Sequence, residues 1–547
     1  MPELVDPSAE TTKTGRNAAV FIAAALLLLT TILIVRPALA QTLYRGNGAE
    51  PGTLDPAKSE TLGEGQVQDD LFEGLVVLDS YGRVQPGQAE SWDVSADGKE
   101  YRFTLRSGLK WSNGDPLTAG DFVYSFRRVV DPKLGSSYAY LLAPIVNAGP
   151  IIDGKIKDLS QLGVRALDSR TLEITLNAPT PYFLTLLSHS KFLPVHRPSV
   201  ERYGQSFTRP GHLVSNGAFT LAAWVPQAWI VLIRNPLYWD AKHVRLQKVV
   251  YLPIEDGETE LRMYRAGQID VTAGADPALL GVIHRDFPAE LHAAPALIAS
   301  YLGYNLTQPP FKDNLKLREA LALVIDREAI SAEILKSGAK PAYSWVPPGI
   351  SGYTPATLPW ASWPMARRVA LAKNLYAQAG YGPGHPLHTE LRFNTNDTNK
   401  RLAIAIAAMW QSTLGVETDL LNEEFKVFLE NRKAKLVTQV YRAGWIADYA
   451  DPTSFTDLLR SDAGLNDTGY DNPAYDNLAN AAAVEIDPKR RNALLQQAEG
   501  LLLADMPLIP LFDGEWLHLV KPKVRGYAPN ILGFAYSKDI SLRQSRR

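Results

Sequence analysis

Residues 442–455 read Arg-Ala-Gly-Trp-Ile-Ala-Asp-Tyr-Ala-Asp-Pro-Thr-Ser-Phe, which crowds a guanidinium, three aromatic rings and two carboxylates around a proline turn. The two acids differ in setting. Asp451 stands before Pro452 and Thr453, an order in which a short carboxylate shapes its own backbone, and it reads as a turn former. Asp448 lies three residues after Trp445 and directly before Tyr449, where aromatic walls lower the local polarity and a lone carboxylate needs a cation. Arg442 is the local candidate for that cation. Taken as a pair, the two acids also fit acid–base work on a glycoside or peptide, and spacing alone does not decide.

Outward from this loop, strand and helix signals alternate. After a turn at Asp97-Gly98, Tyr101, Phe103 and Leu105 alternate with polar neighbours and predict a half-buried hairpin strand. Thr118 with Asp121 three residues on is a variant capping box that opens a helix through Phe122, Tyr124 and Phe126. Apolar residues recur at helical spacing from Leu317 to about Leu335, and again at Leu402, Ala405, Ile406 and Met409, where Trp410 reads as core. A third helix covers 490–503. Beyond it, residues 507–512 and 516–520 flank Asp513-Gly514 and predict two short strands joined by a tight turn. The fold class is α/β, with no fixed-period repeat and domains interwoven through short crossings.

At 547 residues the chain exceeds one hydrophobic core, and roughly 150 residues per domain predicts about three units. Lys13 and Arg16, an apolar run over 18–35 and Pro37-Ala-Leu-Ala-Gln41 form an export signal with cleavage before Gln41. The run is also long enough for an uncleaved anchor. Net charge is −2, and removing residues 1–40 takes three acids and three bases, so it stays at −2. Such a balance gives no electrostatic footprint for nucleic acid. The absence of cysteine excludes a thiolate nucleophile, a cysteine metal site and a lipid-modified cysteine, and leaves stability to packing.

Other motifs are weak. Gly149-Pro-Ile-Ile-Asp-Gly-Lys-Ile156 fails as a P-loop, since Ile156 stands where a Ser or Thr must bind Mg²⁺; a hairpin turn at Asp153-Gly154 is expected instead. His385 and His388 lack a third ligand and read as a solvated loop before a strand at 391–393. Neither His-Glu-x-x-His nor Gly-x-Ser-x-Gly occurs.

Several blocks in order give the chain a wider likeness: Gly48-Ala-Glu-Pro-Gly-Thr-Leu-Asp-Pro56, Leu71-Phe-Glu-Gly-Leu75, Ala89-Glu-Ser-Trp92, Trp111-Ser-Asn-Gly-Asp-Pro-Leu-Thr-Ala-Gly-Asp-Phe-Val-Tyr-Ser125, Pro309-Pro-Phe311 with Arg318 and Asp326-Arg327, and Arg442-Ala-Gly-Trp-Ile-Ala-Asp-Tyr449. Over 42–540 the chain resembles the oligopeptide-binding members of the peptide solute-binding family (bacterial extracellular solute-binding proteins, family 5) that serve ABC importers. The resemblance implies a three-lobed periplasmic-binding-protein, or flytrap, fold with mixed sheets and discontinuous domains. Signal peptide 1–40 precedes lobe I (41–74, 197–298 and 516–547), lobe II (75–196) and closing lobe III (299–515). It implies a non-enzymatic periplasmic receptor without cofactor or metal, monomeric, with no nucleic acid partner. The receptor closes on short peptides and passes them to an inner-membrane ABC permease with its ATPase subunits. Peptide main chain adds to sheet edges, and roomy hydrated pockets tolerate varied side chains. Murein peptides, dipeptides, nickel chelates and oligosaccharides are alternative ligands within the class. An exported peptidase or glycosidase, or an anchored chaperone-like peptide binder, are alternatives outside it.

Carried over position by position, the resemblance implies that Asp448 pairs with a peptide's α-ammonium and Arg442 with its terminal carboxylate, directly or through water. Trp445 matches a pocket wall, with plain core as its other reading. Phe425 falls where relatives carry tryptophan, with the same alternative; Arg432 falls where they carry another basic residue, or is a solvated surface group. Tyr138, in Ser136-Ser-Tyr-Ala-Tyr140, matches a ligand-side tyrosine. There are departures: Asn399 stands where some relatives place a histidine near the ligand carboxylate, and their lysine shifts to Lys336. Ile298 and Ile446 occupy positions that are cysteines in disulfide-bearing relatives, replacing a cross-link by apolar packing.

Overall fold

The computed structural model describes residues 41–543, so the export segment lies outside the described residues. Three main sheets organise the chain, each with its own apolar core. The first orders Thr42–Gly46, Lys248–Leu252, Trp229–Arg234 and Phe219–Val225, with a parallel first pair and antiparallel others. Its core joins Leu43, Phe72, Phe219, Leu232 and Tyr251 to Val520 and Leu542, so it draws on both ends of the described chain. The second sheet, antiparallel throughout, orders Ala89–Val94, Glu100–Leu105, Thr171–Thr175 and Val164–Ala166. Helix Ala119–Val130 packs on it through Phe122 and Phe126. Asp121 starts this helix by accepting from the Thr118 N–H (2.8 Å) and hydroxyl (3.0 Å), as the capping pattern predicts.

The third sheet has six strands, in the order Lys340–Pro341, Leu508–Leu519, Leu291–Tyr304, Val440–Ile446, His388–Asn394 and Glu417–Glu423. Its core holds Trp345 and Trp410, the latter fully buried with its indole N–H on the Leu321 carbonyl (3.1 Å). Helices Asp397–Leu414 and Pro488–Asp505 fall where helical periodicity places them.

Four local expectations are corrected. Asp513-Gly514 is not a turn: it lies inside the continuous twelve-residue strand Leu508–Leu519, paired antiparallel with Leu291–Tyr304. Gly514 is needed there for close approach, because a Cβ would sit 2.8 Å from the Ile298 Cβ. The run from Leu317 to Leu335 is not one helix either. Leu315–Leu323 stops, and Asp326 starts a new turn by capping the Ala329 N–H (2.9 Å), after which a π-turn spans Ile330–Leu335. Gly154, at φ 73°, ends the short helix Ala148–Ile152 instead of forming a hairpin. His388 opens the strand His388–Asn394 and pairs with Glu417 (2.6 Å) instead of sitting in a loop.

Candidate ligand-binding cleft

The strand Val440–Ile446 supplies one wall. Along its whole length it pairs with residues 298–304, but on its other side pairing with His388–Asn394 stops at Tyr441. The edge of residues 442–446 therefore has no strand partner among the described residues. Tyr441 and Ala443 are buried on one face with half-buried Trp445, while Arg442, Gly444 and Ile446 share the opposite face, whose first residue, Val440, is buried. Ile298 and Ile446 are direct cross-strand partners, and Ile446 is exposed to the cleft.

Arg442 lies half-buried, without a counter-ion among the described residues. Its Nη2 reaches only the Ser300 hydroxyl, at 3.4 Å, and its sealed Nε has no partner. Loss of hydration pulls its pKa down to about 10. Beyond the strand, the chain turns through a loop fixed by Asp451. That carboxylate accepts from the Thr453 N–H and hydroxyl and forms a two-pronged buried pair with Arg491 (2.7 and 2.9 Å). It is thus committed to the turn and unavailable as a second acid beside Asp448.

Asp448 projects from this loop, with its own N–H held by the Ser454 hydroxyl (3.0 Å). Its Oδ2 accepts from the Tyr140 hydroxyl (3.2 Å), and no Lys or Arg pairs with it among the described residues, Arg442 included. Desolvation pushes its pKa up to about 6. Trp445, half-buried, anchors the same loop by donating its indole N–H to the Ser454 carbonyl (2.7 Å).

Two cavities meet here, of about 510 Å³ and 400 Å³, sharing Tyr140, Trp445, Asp448 and Leu465 as walls. The larger one is lined from three sides: Leu62 and Gly65 on helix Leu62–Leu71, whose Val67 and Leu71 enter the first core, Tyr138 packed against the second core, and Leu532 and Phe534 with the third, beside Ile446 of the third sheet. Tyr138 lies between Tyr140 and His189, with both centroid distances 5.8 Å, and the Lys191 ammonium stands 5.2 Å from its ring. Burial holds His189 neutral, with a pKa near 3.

Thus Asp448, Trp445 and Tyr138 gather at the cavities, and Arg442 lies farther along the same open strand. The other expected residues stand apart. Arg432 is paired with Asp467 (2.5 Å) against the rings of Phe428 and Tyr441, so it is neither a free cation nor a solvated one. Asn399 is buried, donating its amide to the Asn394 side chain (3.0 Å). Phe425 is 54% exposed at the start of helix Phe425–Ala434 and is not core. Sequence reasoning missed Tyr140, although it sits two residues from Tyr138 in the same quoted stretch, and missed Glu60, Asp69 and Asp457, which also line the cavities. Among the described residues no group of three or more His, Asp or Glu could hold a metal, and no helix is long and apolar enough to cross a membrane.

Residues 83–467 match the profile of the bacterial extracellular solute-binding proteins, family 5 Middle. The chain is 41% identical over 490 residues to the periplasmic oligopeptide-binding protein OppA of Escherichia coli K12, covering 89% of this chain and 90% of that one. It is also 41% identical over 511 residues to the probable deoxycholate-binding periplasmic protein YgiS of the same strain, covering 93% and 95%. Among solved structures, the unliganded open form of the murein tripeptide-binding protein MppA superposes with a TM-score of 0.83 at 39% identity, over 93% of this chain and 98% of that one.

Proposed function

The chain belongs to the bacterial extracellular solute-binding proteins, family 5, and from that premise we propose that it is a periplasmic receptor that captures short peptides and delivers them to an ABC import permease. The observation that carries this reading is the unpaired strand edge between an unpaired cation, Arg442, and an unpaired acid, Asp448. An extended peptide matches all three features. Its main chain adds to the free edge, its α-ammonium meets Asp448 and its terminal carboxylate meets Arg442. At about 3.3 Å per residue, Arg442 and Ile446 lie roughly 13 Å apart along the strand. Peptides of three to four residues, about 10–14 Å when extended, fit that scale.

We take the chain as three lobes, 41–74 with 197–298 and 516–547, then 75–196, then 299–515, a division supported by the three separate cores. The long paired strands Leu291–Tyr304 and Leu508–Leu519 run between the first and last of these and serve as the hinge. Likeness to an unliganded open form supports reading the cleft as open. In this reading the segment 1–40 is a signal that sends the chain to the periplasm, and the receptor is a non-enzymatic monomer that presents its cargo to a permease with ATPase subunits.

A deoxycholate-like ligand, suggested by one relative, fits less well. That ligand brings a carboxylate for Arg442 but no cation for Asp448 or for Glu60, Asp69 and Asp457, which also line the cavities. Calorimetry with trialanine and N-acetyl-trialanine tests the proposal. Acetylation removes the cation and should weaken binding by about 2–4 kcal/mol, the cost of leaving one buried charge unpaired. Equal affinities for the two peptides would refute the role of Asp448.

A further inference from the structure

The smaller cavity has a feature that capture of a peptide backbone does not require. Its walls are mostly apolar and aromatic, with Leu141, Leu186 and Leu458 beside Tyr182 and Tyr449, whose rings stack at 5.1 Å and 10°. Yet a carboxylate, Asp457, forms part of the same lining. Its Oδ1 is sealed from solvent and has no hydrogen-bond partner. The two guanidiniums whose charge reaches it are held elsewhere, Arg460 by Asp462 (3.1 and 3.3 Å) and Arg491 by Asp451. The Asp457 backbone is fixed where the turn Thr453–Thr456 ends, its N–H on the Thr453 carbonyl. A carboxylate left in an apolar pocket without a partner is costly unless something completes it.

Asp448 lines this cavity and the larger one alike, so it stands where the two meet. In a peptide the α-ammonium and the first side chain leave the same carbon. An ammonium on Asp448 therefore presents the first side chain to the smaller cavity while the rest of the chain follows the open strand edge. We propose that the Asp457 pocket is a side-chain subsite for a lysine or arginine at the first position of the bound peptide. The apolar and aromatic walls suit the methylene stem of such a residue, the stacked rings add attraction for its cation, and Asp457 receives the charge. No Lys or Arg lines either cavity to compete for that acid. This inference rests on the peptide reading above and assigns it a substrate class.

The test is calorimetry on the purified protein with Lys-Ala-Ala, norleucine-Ala-Ala and Ala-Ala-Lys. Norleucine keeps the straight stem and lacks the charge. Lys-Ala-Ala should bind roughly tenfold or more tighter than norleucine-Ala-Ala, as expected when a desolvated charge gains its partner. Ala-Ala-Lys should show no comparable gain. In Asp457→Asn the lysine-to-norleucine ratio should fall to about one, and Asp457→Glu, which keeps the charge, should retain most of it. A ratio near one in the native protein, with all three peptides bound, overturns this inference alone. A ratio that survives Asp457→Asn removes Asp457 from the role. Failure of every peptide to bind overturns the peptide reading with it.

Discussion

At Asp448, burial beside Tyr140, Trp445 and Tyr449 raises the cost of ionisation, and the one hydrogen bond from Tyr140 does not offset it. The carboxyl pKa is about 6 in the fold, above the usual carboxylate value. A raised pKa means that the folded state binds this proton more tightly, so its contribution to stability is full at low pH and is lost as pH rises through about 6. The empty protein should therefore gain thermal stability from Asp448→Asn at neutral pH, and the gain should vanish below about pH 4. Peptide affinity runs the other way. It should drop by about 2–4 kcal/mol in the variant, and in the native protein it should fall as pH drops below 6 and the acid takes up its proton. Melting curves of the empty proteins and titrations across pH check both signs; a variant no more stable than the native protein at neutral pH would contradict the desolvation argument. Asp448 was legible because its aromatic neighbours adjoin it in sequence. Its partner Tyr140 stands 308 positions away, and Asp457 is one loop acid among several until the fold seals one oxygen without a donor.

The elements that were legible are those whose signals are local. The Thr118 and Asp121 box starts its helix as expected, and the 402–409 periodicity lies within helix Asp397–Leu414. Asp513-Gly514 misled because a good turn pair was read without its partner strand. Pairing with Leu291–Tyr304, more than two hundred residues earlier, overrides local turn chemistry. The glycine serves steric closeness: between Pro295 and Ala299 the register shifts, and Ile298 fills the space a Cβ would occupy. Gly514→Ala should thus cost about 1–3 kcal/mol, the range for overpacking a well-filled site. Adding Ile298→Ala should recover part of that loss, since two residues in contact couple. Urea unfolding of the single and double variants measures this. Additive losses would mean that the two positions do not share the space.

At the scale of the whole molecule, large apolar side chains stay exposed within residues 425–465, the segment that also contains Arg442 and Asp448. Phe425 is 54% exposed, Val427 52%, Leu436 77% and Leu465 54%. Leu465 lines both cavities, and Phe425 with Val427 occupies the first turn of helix Phe425–Ala434. An exposed apolar side chain at a cavity mouth marks a surface that meets something else, and the walls that share the larger cavity with Leu465 include Tyr138 and Tyr140 on one side and Leu62 and Gly65 on another. Closure about the two long strands would bring those walls together, which separates this arrangement from a rigid groove that binds without moving. Addition of saturating tripeptide should then lower the radius of gyration in small-angle X-ray scattering. Leu465→Ala should weaken binding by about 1.5–3 kcal/mol, the worth of a buried leucine side chain. The melting temperature of the empty protein should barely change, since that side chain is exposed there. An unchanged radius on saturation would mean that the cleft binds in its open shape, and full affinity in the variant would mean that Leu465 covers nothing.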